Sequence, residues 1–110
     1  MKVDQKGHTT ILKDTEGDII TFITKITTNY NSYKNQNLVI DITHDVTADI
    51  KTIKLFSELA KIHKKNKKSF VVIVKDIDYN SVGAKVMVVP TLQEAHDIIE
   101  MEEIERDLGF

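Results

Sequence analysis

Apolar positions along this chain fall into short β-branched runs and longer stretches with helical spacing. The clearest case lies between Asn37 and Val74. Leu38-Val39-Ile40-Asp41-Ile42 and Phe70-Val71-Val72-Ile73-Val74 are too short and too β-branched for helices, and the stretch between them is amphipathic at helical spacing. The pattern predicts a strand, a helix and a second strand parallel to the first, because a parallel pair needs a crossover of this kind.

The flanking segments extend the unit. Met1 to Lys13 predicts two short strands around a turn at Lys6-Gly7, with the β-branched Thr9-Thr10-Ile11-Leu12 as the stronger strand. Asp14 to Asp18 is rich in turn formers. Beyond it, Ile19, Phe22 or Ile23, Ile26, Tyr30 and Tyr33 form a helical stripe with Asp18 as its cap. Thr21, Thr24, Thr27 and Thr28 are weak helix formers, so this helix has to be held by packing. Asn29 to Asn37 is a polar loop. In the central helix, capped by Thr47 or Asp49, the buried face comprises Ile50, Ile53, Phe56 and Leu59 or Ala60, reaching His63. Lys75 to Gly83 predicts a polar loop with at most one helical turn, and Lys85 to Val89 a strand stopped by Pro90. Thr91-Leu92-Gln93-Glu94 predicts a capping box for a last helix that turns Leu92, Ala95, Ile98 and Ile99 to the core. From Glu100 onward this helix is acidic, through Glu102, Glu103, Glu105 and Asp107. Met101, Ile104 and Leu108 continue an apolar stripe, Gly109 ends the helix and Phe110 closes the chain. This stripe either packs on the domain edge or offers Ile104, Leu108 and Phe110 to a partner's groove.

Composition narrows the classes. The 110 residues suit a single domain over 1–110, and 41% hydrophobic with 29% charged residues is ordinary for a globular protein. The absence of cysteine removes disulfides, thiolate metal sites and a cysteine nucleophile. No apolar run has the length of a membrane span or a signal peptide, so no membrane insertion and a cytoplasmic location are expected. A net charge of -2 gives no general reason for nucleic-acid binding. The cluster Lys61, Lys64, Lys65, Lys67 and Lys68 sits where a helix dipole favours cations, and no aromatic residues interleave with it to stack on bases.

Candidate chemistry is sparse. His8, His44, His63 and His96 lie in separate elements and no pair has metal-ligand spacing. Asp76 and Asp78 alternate as in a calcium loop, but its glycine and terminal glutamate do not follow. The four glycines form neither a Walker loop nor a dinucleotide turn. His44-Asp45 follows the central strand at its carboxyl end, the favoured place for a site in an open α/β sheet, yet has no paired nucleophile. The expectation is therefore a non-catalytic protein with no metal and no cofactor.

Laid end to end, the two N-terminal strands, Asn37-Leu38-Val39-Ile40-Asp41-Ile42, the helix from about Thr47, Ser69-Phe70-Val71-Val72-Ile73-Val74 and Val86-Met87-Val88-Val89-Pro90-Thr91-Leu92-Gln93-Glu94-Ala95 resemble a STAS domain. That family includes the bacterial anti-sigma-factor antagonists and the cytoplasmic regulatory domains of sulfate transporters. The resemblance implies an α/β fold with a mostly parallel four- to five-stranded sheet and about three helices. It also implies a regulatory or adaptor role through protein contact at the start of the central helix, so His44, Asp45, Thr47, Asp49, Lys51 and Thr52 are the candidate partner-binding residues, with Ile104, Leu108 and Phe110 as a second group. Asp49 matches the family's aspartate. Ile50 and Lys51 stand where its phosphorylatable serines belong, and Thr47 and Thr52 are out of register. The family's helix between the last two strands is also shortened here to the loop from Asp76 to Ala84. Two alternatives remain open: binding of a small ligand or anion, such as a nucleotide or phosphate, at the Thr43 to Asp49 helix entrance, and an accessory subunit of an RNA-processing enzyme using the lysine cluster. A homodimer through an exposed edge strand is also compatible with the pattern.

Overall fold

A computed structural model of the chain describes residues 1–45 and 48–109. The elements are β1 (Lys2–Lys6), β2 (Thr9–Lys13), α1 (Ile19–Thr28), β3 (Asn37–Asp41), α2 (Ile50–Ile53), α3 (Ser57–Lys65), β4 (Phe70–Ile73), β5 (Met87–Val89) and α4 (Leu92–Asp107). The five strands form one sheet in the order in which they occur along the chain. β1 runs antiparallel to β2, and β2, β3, β4 and β5 are mutually parallel. Lys6 pairs with Thr9 across a two-residue turn whose first residue, Gly7, has φ 59°, where a tight hairpin needs glycine.

The order of the strands explains where the helices lie. Right-handed crossovers that always step to the next strand in one direction must all pass over the same face of the sheet. Ile19, Phe22 and Ile26 of α1 and Leu59 and Ala60 of α3 accordingly share one core with Leu12, Leu38, Ile40, Phe70 and Val72 of the sheet. The last crossover has no α-helix. Val82 and Val86, on either side of Lys85, drop into the same core, and Tyr79 fixes the loop by donating its hydroxyl proton to the Val74 carbonyl at 2.8 Å. β5 begins only at Met87, later than its β-branched run predicts, although Val86 keeps the alternation of Val88 toward this face. The alternate strand residues Ile11, Val39, Val71, Ile73 and Val89 point to the other face, which α4 covers with Ala95 and Ile99. β1 remains exposed along its whole length.

The central helical stretch is interrupted. Lys54–Phe56 forms a 3₁₀ turn between α2 and α3, with helical backbone angles throughout. The cause lies in the spacing of its apolar residues. Ile50, Ile53, Phe56 and Leu59 recur every third residue, and such positions superimpose along a 3₁₀ turn but rotate away from one another on an α-helix. Phe56 is thereby fully buried, edge-on to Phe22 with ring centroids 6.4 Å apart and tilted against Phe70 at 6.3 Å.

His63 closes the lower end of this core. Its Nε2 lies 2.6 Å from the Gln36 carbonyl, which can only accept, so Nε2 carries the proton. Nδ1 is then a bare acceptor for the Tyr30 hydroxyl at 2.6 Å, and that hydroxyl oxygen accepts from the Asn66 amide at 3.0 Å. Burial lowers the His63 pKa; the Gln36 hydrogen bond opposes the shift and the charges of Lys68 and Arg106 add to it. The ring is a neutral structural group tying the 3₁₀ turn Tyr30–Ser32, the loop before β3 and α3 together.

Candidate functional site

The described members of the two groups of candidate residues lie at opposite ends of the sheet. The helix entrance, 41–53, follows the carboxyl end of β3. α4 begins beyond the carboxyl end of β5 and returns to the amino ends, where Arg106 bonds to Ser69 and Asn37 immediately before β4 and at the start of β3. The two groups therefore form separate surfaces.

At the entrance Asp41 with Thr43 and Asp49 with Thr52 form local hydrogen bonds. Asp41 accepts from the Thr43 backbone N–H at 2.9 Å and from its hydroxyl at 2.7 Å, folding the chain as it leaves β3. His44 is exposed and Asp45 is buried. Thr47 lies outside the described residues. Asp49 is the N-cap of α2: its carboxylate accepts from the Thr52 N–H at 2.8 Å, and the Thr52 hydroxyl receives the Asp49 N–H at 2.9 Å. This reciprocal arrangement is a capping box with threonine in the place usually held by glutamate. The hydrogen bonds to Thr52 lower the Asp49 pKa. Lys51 is exposed beside it. An anion approaching these amides meets the Asp49 carboxylate already in place, with Asp41 and Asp45 nearby in the chain and only one turn of α-helix behind it. The Thr52 amide at the start of α2 is thus already satisfied within the chain. Asp49→Ala is expected to lower the thermal midpoint while Asp49→Asn, which keeps an acceptor, retains most of it. Circular-dichroism melts of the two variants check this assignment.

Among the described residues no group of three or more histidine or acidic side chains is arranged to hold a metal ion. Asp78, half of the calcium-like pair, instead caps the 3₁₀ turn Tyr79–Ser81, accepting from the Asn80 N–H at 3.1 Å and the Ser81 hydroxyl at 2.7 Å.

The outer face of α4 departs most from the sequence expectation. Thr91 caps the helix through the Glu94 N–H at 3.1 Å, and Gly109, at φ 83°, follows its last turn. Ala95 and Ile99 are buried, but Leu92 is exposed rather than in the core. Met101, Ile104 and Leu108 are 51%, 55% and 67% exposed. Packing on the domain edge is therefore corrected: Ile104 follows Ile99 by five residues, about 140° around the helix, which carries it to the solvent side. Spacings of three and four unite Met101, Ile104 and Leu108 in a second stripe, opposite the first. Glu100, Glu105 and Asp107, all exposed, accompany it. Next to Met101 a shallow hollow of about 270 Å³ is lined by Val89 and Ile98, with Glu94 and Asp97 also contributing. Phe110 lies outside the described residues. On the inner side Glu103 approaches His8 of the hairpin turn at 3.7 Å.

No helix among the described residues is long and apolar enough to cross a membrane. Compared with known proteins, the chain matches no family model and no curated relative.

Proposed function

We propose that this chain is a non-catalytic, cytoplasmic regulatory or adaptor protein of STAS-like fold that acts by protein contact through the outer face of α4. The observation that carries the reading is the exposed Met101, Ile104 and Leu108 stripe on a helix whose opposite face already holds the core. A second apolar stripe adds nothing to the fold and is what helix recognition uses as an anchor. Support for the STAS-like reading comes from the sequential, mostly parallel sheet with its N-terminal hairpin.

The chemistry of the face selects its partner. α4 carries Glu94, Asp97, Glu100, Glu102, Glu103, Glu105 and Asp107 against Arg106, so two copies brought together along this helix repel one another. The complementary surface is an amphipathic helix or peptide with apolar anchors flanked by lysine or arginine, one anchor seated in the hollow beside Met101 and its neighbouring cation facing Glu94 and Asp97. Affinity capture with wild-type chain and with an Ile104→Glu/Leu108→Glu variant tests this. Both positions are exposed, so the variant keeps its thermal midpoint, and loss of a specific partner is the expected result. Equal capture by a folded variant excludes the α4 face; loss instead in an Asp49→Ala/Lys51→Ala variant relocates contact to the helix entrance.

A further inference from the structure

At the amino ends of β4 and β5, away from the helix entrance, α3, the turn into β4, the loop before β5 and the last turns of α4 enclose a cleft of about 530 Å³. Buried Phe70 and Ala60 supply apolar wall, with Met87 at the edge. Lys64, Lys67, Lys68, Lys85 and Arg106 also line it, and the acidic side chains among the described lining residues are Glu102 and Glu105. Five cations thus converge on one cleft in a chain whose net charge is -2.

Three features distinguish this arrangement from a solvated helix end. The Arg106 guanidinium is anchored by the Ser69 hydroxyl at 3.1 Å and the Asn37 side-chain oxygen at 3.3 Å, both on side chains that are almost fully buried and neutral. Among the described residues, neither Arg106 nor any of the four lysines has a carboxylate within 4.0 Å, so none is held in a direct ion pair and the five cations outnumber the two carboxylates of the cleft. The chain also places a lysine at a backbone position that ordinarily favours glycine. α3 ends in a Schellman turn, with Lys68 N–H on the His63 carbonyl and Lys67 N–H on the Lys64 carbonyl. The left-handed position of that turn, normally glycine, is Lys67 at φ 61°. Local rules broken in this way concentrate at functional positions.

We propose that this cleft binds an organic di- or triphosphate, its phosphates held by Arg106 and the lysines and its organic portion lying against Phe70 and Met87. Guanidinium and ammonium groups are the usual phosphate ligands, and the volume is that of a small-molecule site, for which about 300–1,000 Å³ is typical. A nucleic-acid strand is favoured less, because Phe70 is the one aromatic side chain among the described lining residues and successive bases have no further ring to stack on. The proposal is independent of the α4 docking surface.

Thermal-shift and calorimetric titrations with ATP, ADP, inorganic tripolyphosphate and a short single-stranded RNA test it. ATP or ADP is expected to raise the thermal midpoint and to bind more tightly than tripolyphosphate. Lys67→Gln/Lys85→Gln should weaken nucleotide binding by about tenfold or more, in keeping with the loss of two charge-assisted contacts. Lys2→Gln/Lys6→Gln, which removes the same charge from the exposed β1, should leave it unchanged. Binding equally reduced in both variants signifies diffuse charge and overturns the proposal, as does RNA binding without nucleotide binding, tripolyphosphate binding as tightly as ATP, or no response to any phosphate compound.

Discussion

Replacing Phe56 with alanine is expected to destabilise the domain by about 3–5 kcal/mol, the usual cost of removing a large buried aromatic side chain. Phe56 is fully buried between Phe22 and Phe70, so truncation opens a cavity where α1, the 3₁₀ turn and β4 meet. Losing the ring contacts adds to the transfer cost. In a domain whose total stability is of the order of 5–15 kcal/mol, this is a large fraction. Urea denaturation monitored by circular dichroism measures it, with Phe56→Leu expected to recover most of the loss. A cost below about 1 kcal/mol, the range of surface substitutions, would show that Phe56 does not anchor the interrupted helix.

His63→Leu is expected to cost about 2–3 kcal/mol, because a side chain of similar bulk leaves the Gln36 carbonyl and the Tyr30 hydroxyl without their partner. It should also abolish a pH dependence. The folded-state pKa of His63 is lowered from the reference value of 6.5, chiefly by burial, so below that value the unfolded chain takes up a proton that the folded chain resists. Stability is therefore full above pH 6.5 and falls as pH drops from 6.5 toward the lowered folded value. Denaturation midpoints at about pH 7.5 and about pH 5.5 should differ in the wild-type chain and much less in the variant. A wild-type midpoint that rises on acidification contradicts the neutral, buried assignment.

The amphipathic logic of the chain made much of the fold legible. The hairpin, the capping roles of Asp18, Asp49 and Thr91, the parallel pairing of β3 with β4 and the burial of Ile53, Phe56 and His63 all follow from local pattern. The 3₁₀ turn was also encoded, in the three-residue spacing from Ile50 to Leu59, but a period of three is easily absorbed into a helical stripe. The Asp49–Thr52 capping box escaped because threonine replaces the expected glutamate, whereas Thr91-Leu92-Gln93-Glu94 has the motif but shows only the Thr91 half of it.

The surfaces were harder to read. Met101, Ile104 and Leu108 have helical spacing on either side of α4, and only the rotation from Ile99 reveals that they face solvent. The cationic cleft unites residues 64–68, Lys85 and Arg106, which lie far apart in the chain, and depends on α4 returning to the amino ends of the strands. Hydrophobic periodicity carries no information on that return. Asp49 stands out in the sequence as a helix cap and as the match to the STAS family's aspartate, and the structure shows the capping bond to the Thr52 N–H.

The outer face of α4 is the centre of the functional reading, and amide chemical-shift mapping of the isotope-labelled chain against the captured partner tests it most directly. Perturbations are expected along Met101, Ile104 and Leu108 and at Val89 and Ile98 around the adjoining hollow, with Ile50 to Ile53 unchanged. Perturbations confined to Asp49 to Lys54, with α4 silent, would contradict it.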